Sequence, residues 1–339
     1  MNDIYSNDEH RFIEFDPGDL VAAIPHILGF YPERSLVMVG LARGTPHVID
    51  FTTRVDLPSP AEEQDVISRM MAMVAFQPVT HVVLVVIDAD GSADDLPHRD
   101  LIAECRERFA NADFVVVRQM WTATTATCGL WSCYEHDGCG GVVPDPQFSA
   151  VAVASVQAGF VTFRTREELA AVLDPDANEA LARRNELLAT ADPAAQSAHD
   201  LLALAEAAVD RALTGSLPAK DHEFVLLAVA LSNHEVRDAL LDVGAPERGM
   251  AAERLWACLV RGIPSPERAE PAALLAFSAY ARGDGVLAKM ALERAVVADP
   301  EHRLAGLLTK VLSLGARHSM IRGAAKKSAA LARAHLFSG

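Results

Sequence analysis

The stretch that most constrains the fold is His81–Ile87, HVVLVVI. It is apolar on both faces, as a central strand is when helices cover each side of its sheet. Its neighbours agree with that reading. Pro60–Phe76 reads as a helix, opened by Ser59 with Glu62 and Glu63 in its first turn and buried through Val66, Ile67, Met70, Met71 and Val74. Leu101–Phe109 gives the next helix and Phe114–Val117 the next strand. Upstream, DLVAAIPHILGFYPERSLVMVG (19–40) predicts a helix over Asp19–Phe30 with Asp16 as its cap. Pro25 predicts a kink or early stop there, and Gly29 a terminator. A short apolar strand over Ser35–Leu41 follows, with His47–Leu57 as its more polar hairpin partner. The alternation predicts an α/β domain over residues 1–175, its sheet largely parallel or mixed, with flanking helices. Near its end, Phe148–Ala158 is apolar enough for a buried helix, and Thr165 with Glu168 forms a capping-box pattern.

Beyond Asp174-Pro175-Asp176 the period changes to that of helices alone, giving an all-α domain over 176–315. Helices are expected at Asn178–Thr190, Ser197–Leu213, Lys220–Val243 with a break near Ser232-Asn233, Met250–Arg261 and Pro271–Arg282. Within Leu274–Leu308, Gly283 and Asp284 at a turn, small Ala288 and Ala295, and Pro300 at the close stand near the places a tetratricopeptide hairpin uses, with Tyr280 one place off. Such a hairpin either packs as core or presents a groove to a partner peptide. Residues 316–339 form a basic C-terminal helix or tail.

Charge narrows the partner. Thirty Lys and Arg against 46 Asp and Glu leave a net charge of −16, which opposes a surface built to grip phosphates. The balance is uneven, because no Asp or Glu follows Glu301, whereas Arg303, Lys310, Arg317, Arg322, Lys326, Lys327 and Arg333 do. The basic tail alone leaves nucleic acid open as a partner. MNDIYSNDEH has no basic segment followed by an apolar core, so no signal peptide is read there, and no run reaches the roughly 20 apolar residues of a membrane span. Five cysteines in a chain of this size do not suggest a disulfide framework. A cytoplasmic location follows as the expectation.

Two clusters could carry chemistry. At the end of the central strand, Asp88-Ala89-Asp90-Gly91-Ser92 resembles the first motif of haloacid dehalogenase-type phosphatases, in which the first Asp attacks phosphorus and both carboxylates help hold magnesium. Asp and Gly equally end a strand in a turn. Further on, Cys128, Cys133, His136 and Cys139 lie close together and are candidate zinc ligands, although paired Cys-x-x-Cys turns are lacking. His136-Asp137-Gly138 also suits a tight turn that would set Cys133 opposite Cys139, where a disulfide between them is a further alternative; free thiols in a loop under Trp131 are the plainest reading.

The chain resembles the actinobacterial family DUF4192 over nearly its whole length. The resemblance rests on DLVAAIPHILGFYPERSLVMVGL, on Trp131-Ser132-Cys133-Tyr134 with Cys139, and on EVRDALL, ERLWACLV and LLAFSAYARGDGVLAKMALERAVVADPEHRLAGLL. Where the family tends to have Cys-Cys-Pro, this chain has Cys139-Gly140-Gly141. The resemblance implies no enzyme class; it directs attention to Arg237, Asp238, Trp256, Gly283, Asp284 and Gly285 as candidate binding residues. Arg237 and Asp238 point about 100° apart on a helix, so pairing with other helices is expected of each rather than pairing together. The expected function is a non-enzymatic binding or regulatory protein that docks another protein on its helical domain. The alternatives are a magnesium-dependent phosphate-handling enzyme using Asp88 and Asp90, and a zinc or thiol protein centred on Cys128–Cys139.

Overall fold

The computed structural model describes residues 16–42, 49–157, 160–192 and 195–337. The N-terminal MNDIYSNDEH, His47, Ala158, Pro193 and the last two residues fall outside them. The chain divides into two compact units between Glu168 and Leu169.

The first unit holds six strands: β1 (Ser35–Ala42), β2 (Ile49–Asp56), β3 (Val79–Ile87), β4 (Val115–Thr122), β5 (Leu130–Cys133) and β6 (Gly140–Val142). They form one mixed sheet in the order β2-β1-β3-β4-β5-β6. The His81–Ile87 segment is interior as expected, with β1 on one side and β4 on the other. The largely parallel alternative is corrected, because only β3 and β4 run parallel and the other four pairings are antiparallel. The cause is local. β1 and β2 form the expected hairpin, and the chain crosses back through α2 (Glu63–Val74) to lay β3 antiparallel on the free side of β1. Only the crossover through α3 (Arg99–Asn111) makes a βαβ unit.

Alternation along the buried strands sorts the core. Leu36, Met38, Val82, Leu84 and Val86 pack with Val66, Ile67 and Met70 of α2 and Leu101, Ile102, Cys105 and Phe109 of α3. Val37, Val39, Val83 and Val85, on the opposite face, are buried too. Helix α1 (Pro17–Leu28) is capped by the Asp16 carboxylate and runs through Pro25 to a left-handed Gly29, so the expected early stop does not occur. Helix α4 (Ala150–Gln157) corrects another expectation, since only Ala152 is buried and Val153 and Val156 face solvent. Its composition is apolar all round, which identifies no inward face. The capping pattern opens α5 (Arg166–Ala171), where Thr165 Oγ1 accepts the Glu168 N–H at 3.1 Å.

The second unit is helical: α6 (Asn178–Thr190), α7 (Ala198–Leu213), α8 (Asp221–Ser232), α9 (His234–Ala239), α10 (Pro246–Gly262), α11 (Ala269–Arg282), α12 (Gly285–Ala298), α13 (Arg303–Ser313) and α14 (His318–Leu336). The predicted break falls at Asn233, whose side chain caps α9. Helices α11 and α12 pack together across Gly283-Asp284, brought close by Ala279, Ala288, Ala291 and Ala295. The basic segment is α14, packed against α9 and α11 through Ala325, Ala329, Ala332 and Leu336.

One buried cation ties three helices of this unit. Arg184 of α6 donates to Asp221 Oδ1, Asp176 Oδ2 and the Gly262 carbonyl, each at 2.8 Å, and its guanidinium lies 3.8 Å from the Phe224 ring centroid. A methyl group on Gly262 would overlap that ring, so the glycine is what lets α10 approach so closely. Among the described residues, no helix is long and apolar enough to cross a membrane.

Candidate functional site

Register brings the first cluster together. Ser35 of β1 lies opposite Ile87 of β3, and Ile87 beside Thr122 of β4, so the start of one strand meets the carboxyl ends of two others. The carboxyl edge of a parallel pair is where open α/β sheets place ligands. Asp88 sits there almost fully buried, its N–H donating to Thr122 O at 3.0 Å and its carbonyl accepting Trp121 Nε1 at 3.0 Å. Its Oδ2 lies 2.8 Å from His98 Nε2, and its Oδ1 accepts the Asp90 N–H at 3.3 Å. Arg34 Nη1 donates to Asp90 Oδ2 at 2.8 Å and is 3.8 Å from Asp88 Oδ1. Arg34 and His98 both hold left-handed backbone, φ 40° and 57°, a strained choice for non-glycine residues.

Sequence reasoning found Asp88 and Asp90 but missed Arg34 and His98. Position alone could have flagged them, since Arg34 abuts β1 and His98 opens the helix after β3. The arrangement orients an imidazole on a buried carboxylate, as a general base is oriented. It does not fit magnesium. Both Asp88 oxygens are engaged from within the protein, Asp90 is held by a guanidinium, and among the described residues no three His, Cys, Asp or Glu side chains gather as a metal set. An Asp88 so enclosed is also poorly placed to attack phosphorus.

The cysteine cluster is a hairpin. Strands β5 and β6 pair with Leu130 opposite Val142 and Ser132 opposite Gly140, and Cys133 and Cys139 close the loop as a disulfide. The Cys133 N–H donates to Cys139 O at 2.9 Å, the cross-strand bond the tight-turn reading anticipates. The plainer reading of free thiols is corrected for these two; Cys128 is free and exposed. His136 stands exposed on the loop, and the four residues do not form a zinc site. Gly141 packs edge-on against the Trp131 indole, where a Cβ would come within 3.1 Å of three ring atoms. Next to Cys133, the Tyr134 hydroxyl donates to Pro97 O at 2.7 Å, one residue from His98. Burial pushes that phenol above its ordinary range.

Of the six residues singled out in the helical unit, Arg237 reaches from α9 to α11, and Gly283, Asp284 and Gly285 form the turn between α11 and α12. Arg237 reaches Asp238 Oδ1 through Nε at 2.9 Å and Nη2 at 2.8 Å, and Glu270 Oε2 through Nη1 at 3.2 Å. The expectation that the adjacent pair would not bond is therefore wrong, because the long arginine side chain folds across the angle between them. Glu270 also lies 3.1 Å from His302 Nε2, while His302 Nδ1 accepts the Ala305 N–H at the start of α13. Trp256 is fully buried within α10. Gly283 ends α11 with φ 106°, Asp284 caps α12 by accepting the Leu287 N–H at 2.8 Å, and Gly285 is the first residue of α12. Arg282 bridges Glu253 and Asp284, and burial still raises the Glu253 carboxyl above its usual value.

The outer surface of this unit is different in kind. Val297 is 83% exposed, Leu307 58%, Met320 65% and Leu331 63%. Arg303, Lys310, Lys326 and Lys327 are exposed beside them.

The domain family of unknown function DUF4192 has a model that matches residues 17–318. No curated protein and no solved structure matches the chain. With all but the two ends of the sequence covered by that match, the chain belongs to the DUF4192 family.

Proposed function

We propose that the protein is a non-enzymatic binding or regulatory protein whose helical unit is the docking surface for another protein. The observation that supports this is a contrast within that unit. Its conspicuous polar residues are spent in joints between helices, while large apolar side chains of α12, α13 and α14 stand in water. Such side chains in water at this density mark interaction surfaces. On this reading the α11–α12 pair is a tetratricopeptide-like hairpin contributing to a docking surface, and the protein works in the cytoplasm of an actinobacterium.

The test is capture of partners from a lysate by the full chain and by a Leu307→Ser, Leu331→Ser variant. A partner retained by the former at low and moderate salt and lost from the latter supports the proposal. Retention of nothing, or of the same proteins by both, overturns it. The Asp88 cluster is the one place where an enzyme reading retains an observation in its favour, the imidazole held on a buried carboxylate. Turnover of a generic ester panel that vanishes with both Asp88→Asn and His98→Gln would replace the binding reading.

A further inference from the structure

The Cys133–Cys139 bond stands where little else holds the chain. Strand β6 is three residues long, two of them glycine, and none of the three is buried. It lies at the edge of the sheet, paired with β5 alone. An edge strand of that length and composition is weak by itself. At the open end of the hairpin, Val143 is buried and its N–H donates to Gly129 O at 2.7 Å. At the turn end, Glu135, His136, Asp137 and Gly138 are all exposed, and the disulfide is what fastens the two strands. Opening it would free the turn and β6 without disturbing the core, a local event.

The residue after Cys133 leads inward. The Tyr134 N–H donates to Gln119 O of β4 at 3.0 Å, its ring packs against the core that α3 shares, and its hydroxyl donates to Pro97 O at 2.7 Å. Among the described residues no other hydrogen bond joins residues 128–143 to residues 89–98. Pro97 precedes His98, which holds left-handed backbone and meets the buried Asp88 carboxylate. The disulfide is therefore one residue from the single tie between the hairpin and the Asp88 cluster.

We infer that Cys133–Cys139 is a thiol-redox switch set on the Asp88–His98 edge of the sheet. Closed, it fixes Tyr134 and, through Pro97, the approach of His98 to Asp88. Opened by a dithiol reductant, it releases the hairpin turn and loosens that edge. Cys139 is half-buried and Cys133 is 4% exposed, so the reductant enters at Cys139. Its thiolate attacks Cys139 Sγ, the S–S bond breaks with its electron pair going to Cys133 Sγ, and that thiolate takes up a proton. The second thiol of the reductant then displaces Cys139 and leaves as a disulfide, so two electrons and two protons pass to the protein. A small disulfide reverses the exchange. The assignment rests on the cytoplasmic location proposed above, where disulfides are chiefly transient and redox-sensing. It does not depend on docking at the helical unit.

Hydrogen exchange of the full chain tests it, read by mass spectrometry with the bond intact and after dithiothreitol without denaturant. Alkylation of quenched samples and intact mass report the bond in each. Two more cysteines should be modified after dithiothreitol, and the amides of 89–98 should then exchange at least about tenfold faster. Glutathione disulfide should restore both readings. Tyr134→Phe keeps the ring and removes the hydroxyl, so 89–98 should exchange fast with the bond intact and gain nothing more on reduction. A bond that yields only in denaturant is a structural staple and overturns the switch. A bond that opens while 89–98 exchanges as before overturns its link to His98 and Asp88. Both outcomes are read on purified protein, so they stand apart from where the protein resides.

Discussion

Arg184→Met is the substitution whose cost the structure defines best. The methionine keeps an apolar stem against Phe224 and removes every hydrogen bond the guanidinium donates. Removing one partner of a buried ion pair costs about 3–5 kcal/mol. Here the Asp176 and Asp221 side chains are 24% and 25% exposed, so water reaches both and the lower end applies. The Gly262 carbonyl loses a donor in a buried setting, which keeps the figure from falling much further. We expect a loss of about 3 kcal/mol, which at a urea dependence of about 2 kcal/mol/M lowers the midpoint by about 1.5 M. The readout is the helical circular dichroism signal, most of which comes from the second unit. Adding Asp176→Asn and Asp221→Asn should recover part of the loss, because uncompensated carboxylates then disappear with the cation. A loss under about 1 kcal/mol would refute the view that this cation ties α6, α8 and α10 together.

Alkylation in denaturant without reductant should modify three cysteines, Cys105, Cys128 and Cys258, and all five after reduction, counted by intact mass; five without reductant would remove the Cys133–Cys139 bond. In the folded protein Cys128 should react first and Cys105 resist, since burial pushes its thiol up to about 12. Burial holds the His26 imidazole below its ordinary 6.5, so the neutral form favours the fold. Its contribution is present above the unfolded value and is lost as pH falls through the lower folded one, and His26→Gln should flatten a stability profile measured across that acid window. Asp88→Asn should cost about 2 kcal/mol in urea unfolding, from weakening a charge-assisted bond to His98; an unchanged midpoint would show that pair to be idle in the fold.

The buried strands were readable because a strand covered on both faces must be apolar there, and β1 over 36–41 and β3 over 82–87 are. Caps were readable for a similar reason, since Asp16 and Thr165 each satisfy donors a few residues away, whereas at Asn233 the break was read and the cap was not. Helix α4 was not, because Ala and Val announce apolarity and not what lies opposite. His98 stands ten residues after Asp88 on the segment that leaves β3, whereas Arg34 reaches the cluster only through the register that sets Ser35 opposite Ile87, which no local pattern encodes. Cys133 and Cys139 were correctly set opposite each other by the turn, whereas bond formation depends on Sγ geometry that spacing alone does not fix. Arg237 was placed correctly and its partner misjudged, an error of side-chain reach and not of helix phase.

The antiparallel seating of β1 between β2 and β3 also bears on how the chain reaches its fold. β1 finds β2 through a short hairpin, but its other edge waits until all of α2 has been laid down and β3 returns. In the helical unit α10 with α11 and α11 with α12 join helices adjacent in the chain, whereas α14 returns to α9 and α10 packs on α7. Loop closure over long separations slows a search, and local contacts speed it. Until β3 docks, the apolar edge of β1 is open to whatever strand arrives first.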